Sequence, residues 1–168
     1  MLGPLTVYIE EGGIAMDHSA LAGEAFRRGY NCSQAVVVAF HDKLGFTERE
    51  AARLSSSFGG GMGRLRETCG AVSGMLLAAG ILYGYDTPGD DNAKREHYRL
   101  VQSLAGQFRE EAGSIVCREI LGNPPSDPNP TPRTPEFYAA RPCCRLVMLA
   151  AKILDGEITR REGDSQKL

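Results

Sequence analysis

A chain of 168 residues and 18.2 kDa is long enough for one domain with a proper core. Its 19 Lys and Arg against 21 Asp and Glu leave a net charge of −2 and a pI of about 5.9. That balance lacks the electrostatic footprint of a nucleic-acid binder, and no basic cluster exceeds Arg27-Arg28 or Arg160-Arg161.

The first 20 residues hold no Lys or Arg, and the apolar stretch from Leu5 to Ile9 is too short for a secretory core. Residues 1–16 are expected to be disordered or extended, with Met16 as an alternative start. Helical signals then dominate. Asn31 followed by Gln34 reads as a capping box opening the apolar run Ala35 to Phe40, and Thr47 with Glu50 repeats it before Ala51, Leu54 and Phe58. Val36-Val37-Val38 is the one rival strand candidate, and the caps favour helix.

From Cys69 to Tyr85 run 17 residues without a charge. A spanning helix needs about 20 apolar residues, so the expectation is a buried helix. Gly70, Gly74 and Ala78 give it a nearly bare face that lets a neighbouring helix, or a second copy, approach closely. A long helix is expected from about Asp90 to Ala112, its stripe being Leu100, Val101, Leu104, Ala105 and Phe108. Ser114 is the expected cap of a short helix ending at Gly122. Asn123 to Pro135 then holds six of the nine prolines and reads as a stiff surface loop. Pro142 opens the last helix, with Leu146, Leu149, Ala150 and Ile153 as its stripe. Beyond Gly156 the charged tail, 157–168, is expected to fray. The fold class is all-α: a compact bundle of about six helices over residues 17–156, with one Pro-rich surface loop.

Five cysteines are present, too few for a disulfide-stapled secreted domain. An odd count without an export signal points to reduced thiols in the cytoplasm. Cys32, Cys69, Cys117 and Cys143 fall in the first turns of four expected helices, where unpaired N–H groups carry partial positive charge. A thiolate there is stabilised, which lowers the thiol pKa. Against this stands the tendency of free cysteine to fill core space. No Cys-x-x-Cys occurs, so a shared site must be assembled from distant helices. The vicinal Cys143-Cys144 leaves open which of the two belongs to it.

The segments Tyr30-Asn31-Cys32-Ser33-Gln34-Ala35-Val36, Phe58 to Arg64, Cys69-Gly70-Ala71-Val72-Ser73-Gly74 and Val116-Cys117-Arg118-Glu119-Ile120-Leu121-Gly122 resemble the C_GCAxxG_C_C family. That family is named for four cysteines and a Cys-Gly-Ala-x-x-Gly motif. Cys143 best matches the fourth family cysteine, from its register with Leu146-Val147 and Ala150-Ala151. The resemblance implies an all-helical, redox-active protein, often encoded near transporter genes, without an established substrate.

Three functions follow. In the first, Cys32, Cys69, Cys117 and Cys143 are catalytic thiols and at least one pair cycles with a disulfide. In the second, the same four are metal ligands for an iron–sulfur cluster or zinc. Gly59, Gly60, Gly61, Gly63 and Gly70 would then let backbone approach the sulfur of Cys69 or a bound cofactor. In the third, the chain is a non-catalytic helical module for a transporter, dimeric through the Gly70/Gly74 face. The partner is accordingly a redox protein or a transporter. The glycine loop lacks the Lys-Ser/Thr ending of a P-loop. His18, His41 and His97 each stand alone, with His97 expected to be partly buried and satisfied. Arg64, Arg66 and Glu67 read as a solvated turn that can also tune Cys69.

Overall fold

Two capping boxes set where the interior helices begin. Asn31 Oδ1 accepts from the Gln34 N–H at 2.9 Å, and Gln34 Oε1 accepts from the Asn31 N–H at 3.0 Å. Thr47 Oγ1 accepts from the Glu50 N–H at 3.2 Å, and Glu50 Oε2 answers from the Thr47 N–H at 2.9 Å. Each box satisfies two N–H groups that a helix start leaves without partners.

The computed structural model describes residues 9–10, 13–14 and 16–166. Most of the segment expected to be disordered or extended, residues 1–16, lies outside them, apart from a two-residue antiparallel pairing of Ile9–Glu10 with Gly13–Ile14. The rest is helical: α1 His18–Arg27, α2 Cys32–Ala39, α3 His41–Leu44, α4 Glu48–Ser55, α5 Gly70–Tyr83, α6 Asp91–Ala112, α7 Cys117–Leu121, α8 Pro135–Ala140 and α9 Cys143–Ser165. The fold is all-α, and the six longer helices account for the expected bundle. No described helix is long and apolar enough to cross a membrane.

Helix α2 is the centre of the molecule. Val36, Val37 and Phe40 are fully buried, with α1, α4, α5 and α9 packed around them. Being apolar on every side, α2 needs neighbours on every side. On α5, a Cβ added at Gly74 would stand 2.7 Å from the Ser33 carbonyl oxygen and 3.1 Å from Val36 Cβ. The bare face is therefore filled by α2 of the same chain.

Several elements depart from expectation. Helix α1 carries only a weak stripe; Asp17 caps it by accepting from the Ala20 N–H at 3.1 Å. Helix α8 follows the proline-rich segment, with Thr134 as cap and Pro135 in the first turn. Val116, not Ser114, is the cap residue of α7, and the Ser114 hydroxyl instead accepts from the Val116 N–H at 3.0 Å. Helix α9 does not fray at Gly156 but runs to Ser165. Buried Ile158 anchors it, and Arg160 and Arg161 pair with Glu157 one turn back.

Two histidines differ as well. His18 is buried, stacked on Phe40 at 4.2 Å and donating to Asp155 at 2.7 Å, so it ties α1 to α9. His97 is partly buried as expected but not satisfied: its Nδ1 has no partner, and the ring meets the edge of Tyr85.

A thiol cavity as candidate functional site

Cys32, Cys117 and Cys143 are the first residues of α2, α7 and α9, and Cys69 is the cap residue of α5. The expected first-turn placement therefore holds for Cys32, Cys117 and Cys143, and Cys69 stands one position ahead of its first turn. All four line one cavity of about 410 Å³. Cys144, rotated by one helical step, leaves it and lies 4.0 Å from the Gly23 carbonyl oxygen on α1.

Short backbone pairing brings two of the cysteines together from distant parts of the chain. The Cys69 N–H donates to the Ile115 carbonyl at 2.7 Å, and the Cys117 N–H donates to the Glu67 carbonyl at 2.6 Å, flanking a bridge between Thr68 and Val116. Ahead of that bridge the chain turns in the left-handed region. Gly60, Gly61 and Gly63 have φ of 65°, 71° and 62°, and Met62, Arg64 and Arg66 share it at 65°, 68° and 63°. Non-glycine residues there carry a steric cost, roughly 1–2 kcal/mol each. Such strain is a known companion of functional sites.

Gly59, Gly60, Gly61, Gly63 and Gly70 all line the cavity, but their role differs from the expected one at Cys69. A Cβ at Gly61 would meet Cys117 Cβ at 2.7 Å, one at Gly70 would meet Cys32 Cβ at 2.9 Å, and one at Gly59 would strike the Asn31 side chain. The glycines make room for Cys117, Cys32 and the cap of α2.

The four thiols are not electrostatically alike. Burial pushes the Cys69 thiol up to about 12, although the N–H groups of Ala71 and Val72 favour its thiolate. Burial also raises Cys117, against the pull of the Arg66 guanidinium. Cys143 is lowered to about 7, chiefly by hydrogen-bonding interaction with the Cys32 thiol and further by Arg141, Arg133 and Arg66. Cys32 is raised by the same interaction and by its enclosure. The expected depression at helix starts is thus overturned for three cysteines, for Cys69 and Cys117 chiefly by desolvation and for Cys32 chiefly by its interaction with Cys143.

Arg66 is no solvated residue. It is 3% exposed, donates through Nε to the Pro125 carbonyl at 2.9 Å and places Nη1 4.0 Å from the Cys117 sulfur. Its charge lowers the thiol pKa of Cys117 and of Cys143. Arg133 and Arg141 are cavity residues that the sequence did not single out. Arg133 stacks on Phe26 and Phe137 at 4.4 and 4.8 Å and donates to the carbonyls of Phe26 and Tyr30. Arg141, two residues before Cys143, was the one readable from proximity.

Among the described residues, no three His, Cys, Asp or Glu side chains stand together closely enough to hold a metal ion. The four thiols share a cavity without converging into a ligand set in this arrangement, so they do not fit zinc or a cluster as they stand.

The family model described as "Putative redox-active protein (C_GCAxxG_C_C)" matches residues 30–156. The chain belongs to this family. The match takes in all four cavity cysteines, the glycine turn and the proline-rich segment, and it leaves out the whole of α1. Comparison with curated proteins and with solved structures gave no match.

Proposed function

We propose that this chain is a thiol–disulfide exchange protein in which Cys143 attacks and Cys32 resolves. The observation that supports this reading best is that Cys143 and Cys32, the first residues of two different helices, line one cavity with Arg66, Arg133 and Arg141, where the interaction with Cys32 and the guanidinium charges draw the Cys143 thiol down to about 7. An attacking thiol works best when its pKa lies near the ambient pH.

The Cys143 thiolate attacks one sulfur of an external disulfide, forming a mixed disulfide and releasing one thiolate. The Cys32 thiol, giving its proton to the thiolate released in the first step, then attacks the Cys143 sulfur, breaks the mixed disulfide and releases the second thiolate. The external disulfide is reduced by two electrons, and Cys32 and Cys143 are oxidised to a disulfide. Cys69 and Cys117, protonated at neutral pH, shape the cavity and stand by as secondary thiols. The substrate is thus a disulfide of a small molecule or of a redox partner, in a reducing compartment such as the cytoplasm.

Anaerobically purified protein should be treated with 2-hydroxyethyl disulfide and digested under acid quench. A Cys32–Cys143 cross-linked peptide is expected, absent in Cys143→Ser and retained in Cys144→Ser. Oxidation without that peptide would overturn the pair. Stoichiometric iron or zinc in the starting protein, lost with Cys69→Ser, would favour the cluster or zinc reading over exchange.

A further inference from the structure

The cavity is charged in one sense only. Its ionisable lining consists of the four cysteines with Arg64, Arg66, Arg133 and Arg141, and no lining residue is Asp or Glu. A chain with net charge −2 has thus gathered four guanidinium groups around a space of about 410 Å³. Arg64 is partly answered by Asp127, with Nη2 3.5 Å from its carboxylate. Among the described residues, Arg66, Arg133 and Arg141 have no carboxylate partner.

Arg66 carries the argument furthest. Its Nε is used on Pro125 and its Nη1 lies beside Cys117, while Nη2 is buried with no hydrogen-bond partner. A charged donor left in that state is costly, and native proteins seldom keep one without use. Arg133 and Arg141 lie over aromatic faces, with Arg141 4.9 Å from the Phe137 ring centre. Arg133 spends its terminal nitrogens on the carbonyls of Phe26 and Tyr30, whereas the stacking of Arg141 fixes its guanidinium plane and leaves the edge N–H groups for an oxyanion.

We propose that the thiol cavity is an anion site, in which Arg66, assisted by Arg141, binds the carboxylate or inorganic oxyanion group of a small ligand. Taken with the exchange reading, on which this second step rests, the substrate is a carboxylate-bearing small disulfide whose sulfur is delivered to Cys143. The protonated state of Cys32, Cys69 and Cys117 at neutral pH leaves the guanidinium charge for the ligand to balance.

Two probes separate the anion site from the chemistry. Adipate has the chain length and charges of dithiodiglycolate but no disulfide, so its binding by calorimetry is independent of exchange. We expect adipate to bind, 1,6-hexanediol not to bind, and Arg66→Gln to weaken adipate about tenfold or more, as the loss of a charge-assisted contact should. Arg141→Gln, at a half-exposed position, decides the matter if Arg66→Gln does not fold by circular dichroism. In the kinetic arm, the wild type should be oxidised faster by dithiodiglycolate than by uncharged 2-hydroxyethyl disulfide, and Arg66→Gln should erase that preference. Sulfate that displaces adipate and binds more tightly would support the site with an inorganic oxyanion as its ligand. Failure of adipate and sulfate to bind, or equal binding to wild type and both variants, overturns the proposal. Adipate binding without oxidation by either disulfide would leave the anion site standing and remove the exchange reading.

Discussion

Cys143 and Cys69 both stand at the start of a long helix, yet burial drives the Cys69 thiol to about 12 while interaction with Cys32 and the charge of three guanidiniums draw the Cys143 thiol to about 7. Alkylation by iodoacetamide follows the thiolate fraction, so the Cys143 rate should rise with a midpoint near pH 7. Cys32→Ala removes the largest cause of the depression and should move that midpoint up, read by mass spectrometry across a pH series. The same shifts act on stability. Cys69, raised in the folded state, contributes stability that is intact below its unfolded value and lost as pH rises toward 12. At this scale the sequence showed which cysteines open helices, because capping and proline signals are local. Of the vicinal pair, Cys143 lines the cavity and Cys144 turns toward Gly23 on α1. The thiol pKa values were not legible, since desolvation depends on which helices close over each sulfur.

Helix α5 shows how much a single element can carry. Its charge-free composition announced a buried helix, and Gly70 and Gly74 announced a close neighbour. That the neighbour is α2 could not be read, because several helices were available to fill the face. Gly74→Ala would force a methyl to within 2.7 Å of the Ser33 carbonyl, an atom of helix backbone that cannot swing away. A destabilisation of about 1–3 kcal/mol is expected from such overpacking. Gly80 lies on the same helix with open space where its Cβ would be. There Gly80→Ala should stabilise, by up to about 1 kcal/mol, through helix propensity alone. Urea denaturation of both variants checks the pair, and equal effects would contradict the packing described. The run of α9 past Gly156 has a similar lesson: charge density suggested fraying, but Glu157, Arg160 and Arg161 are spaced to pair along one helix, and Ile158 gives that helix an anchor.

At the scale of the whole molecule, the cavity is a product of long-range pairing. Residues 66–69 lie along residues 115–118, and the proline-rich segment 123–135 supplies Pro128, Pro130 and Thr131 to the cavity wall. Composition identified that segment as a stiff surface loop, but not as a cover held from inside by two arginines. Arg64 donates to the Asp127 carbonyl at 2.7 Å and to Thr131 Oγ1 at 3.0 Å, and Arg66 holds Pro125. The segment contributes no residue to the apolar core, so these polar ties, together with Arg133 stacked on Phe26 and Phe137, are what keep it closed. Arg64→Ala removes two of them without touching the helix packing. Hydrogen exchange across 123–135 should then accelerate, and Cys117 should be alkylated by neutral iodoacetamide about tenfold faster at fixed pH, while the melting temperature stays nearly unchanged. The charges that pull on the Cys117 thiol are those of Arg66 and Arg141. A faster reaction in Arg64→Ala therefore reports access to the cavity and not a change in thiol acidity. An unchanged rate would mean that Arg66 and Arg133 hold the cover in place without Arg64.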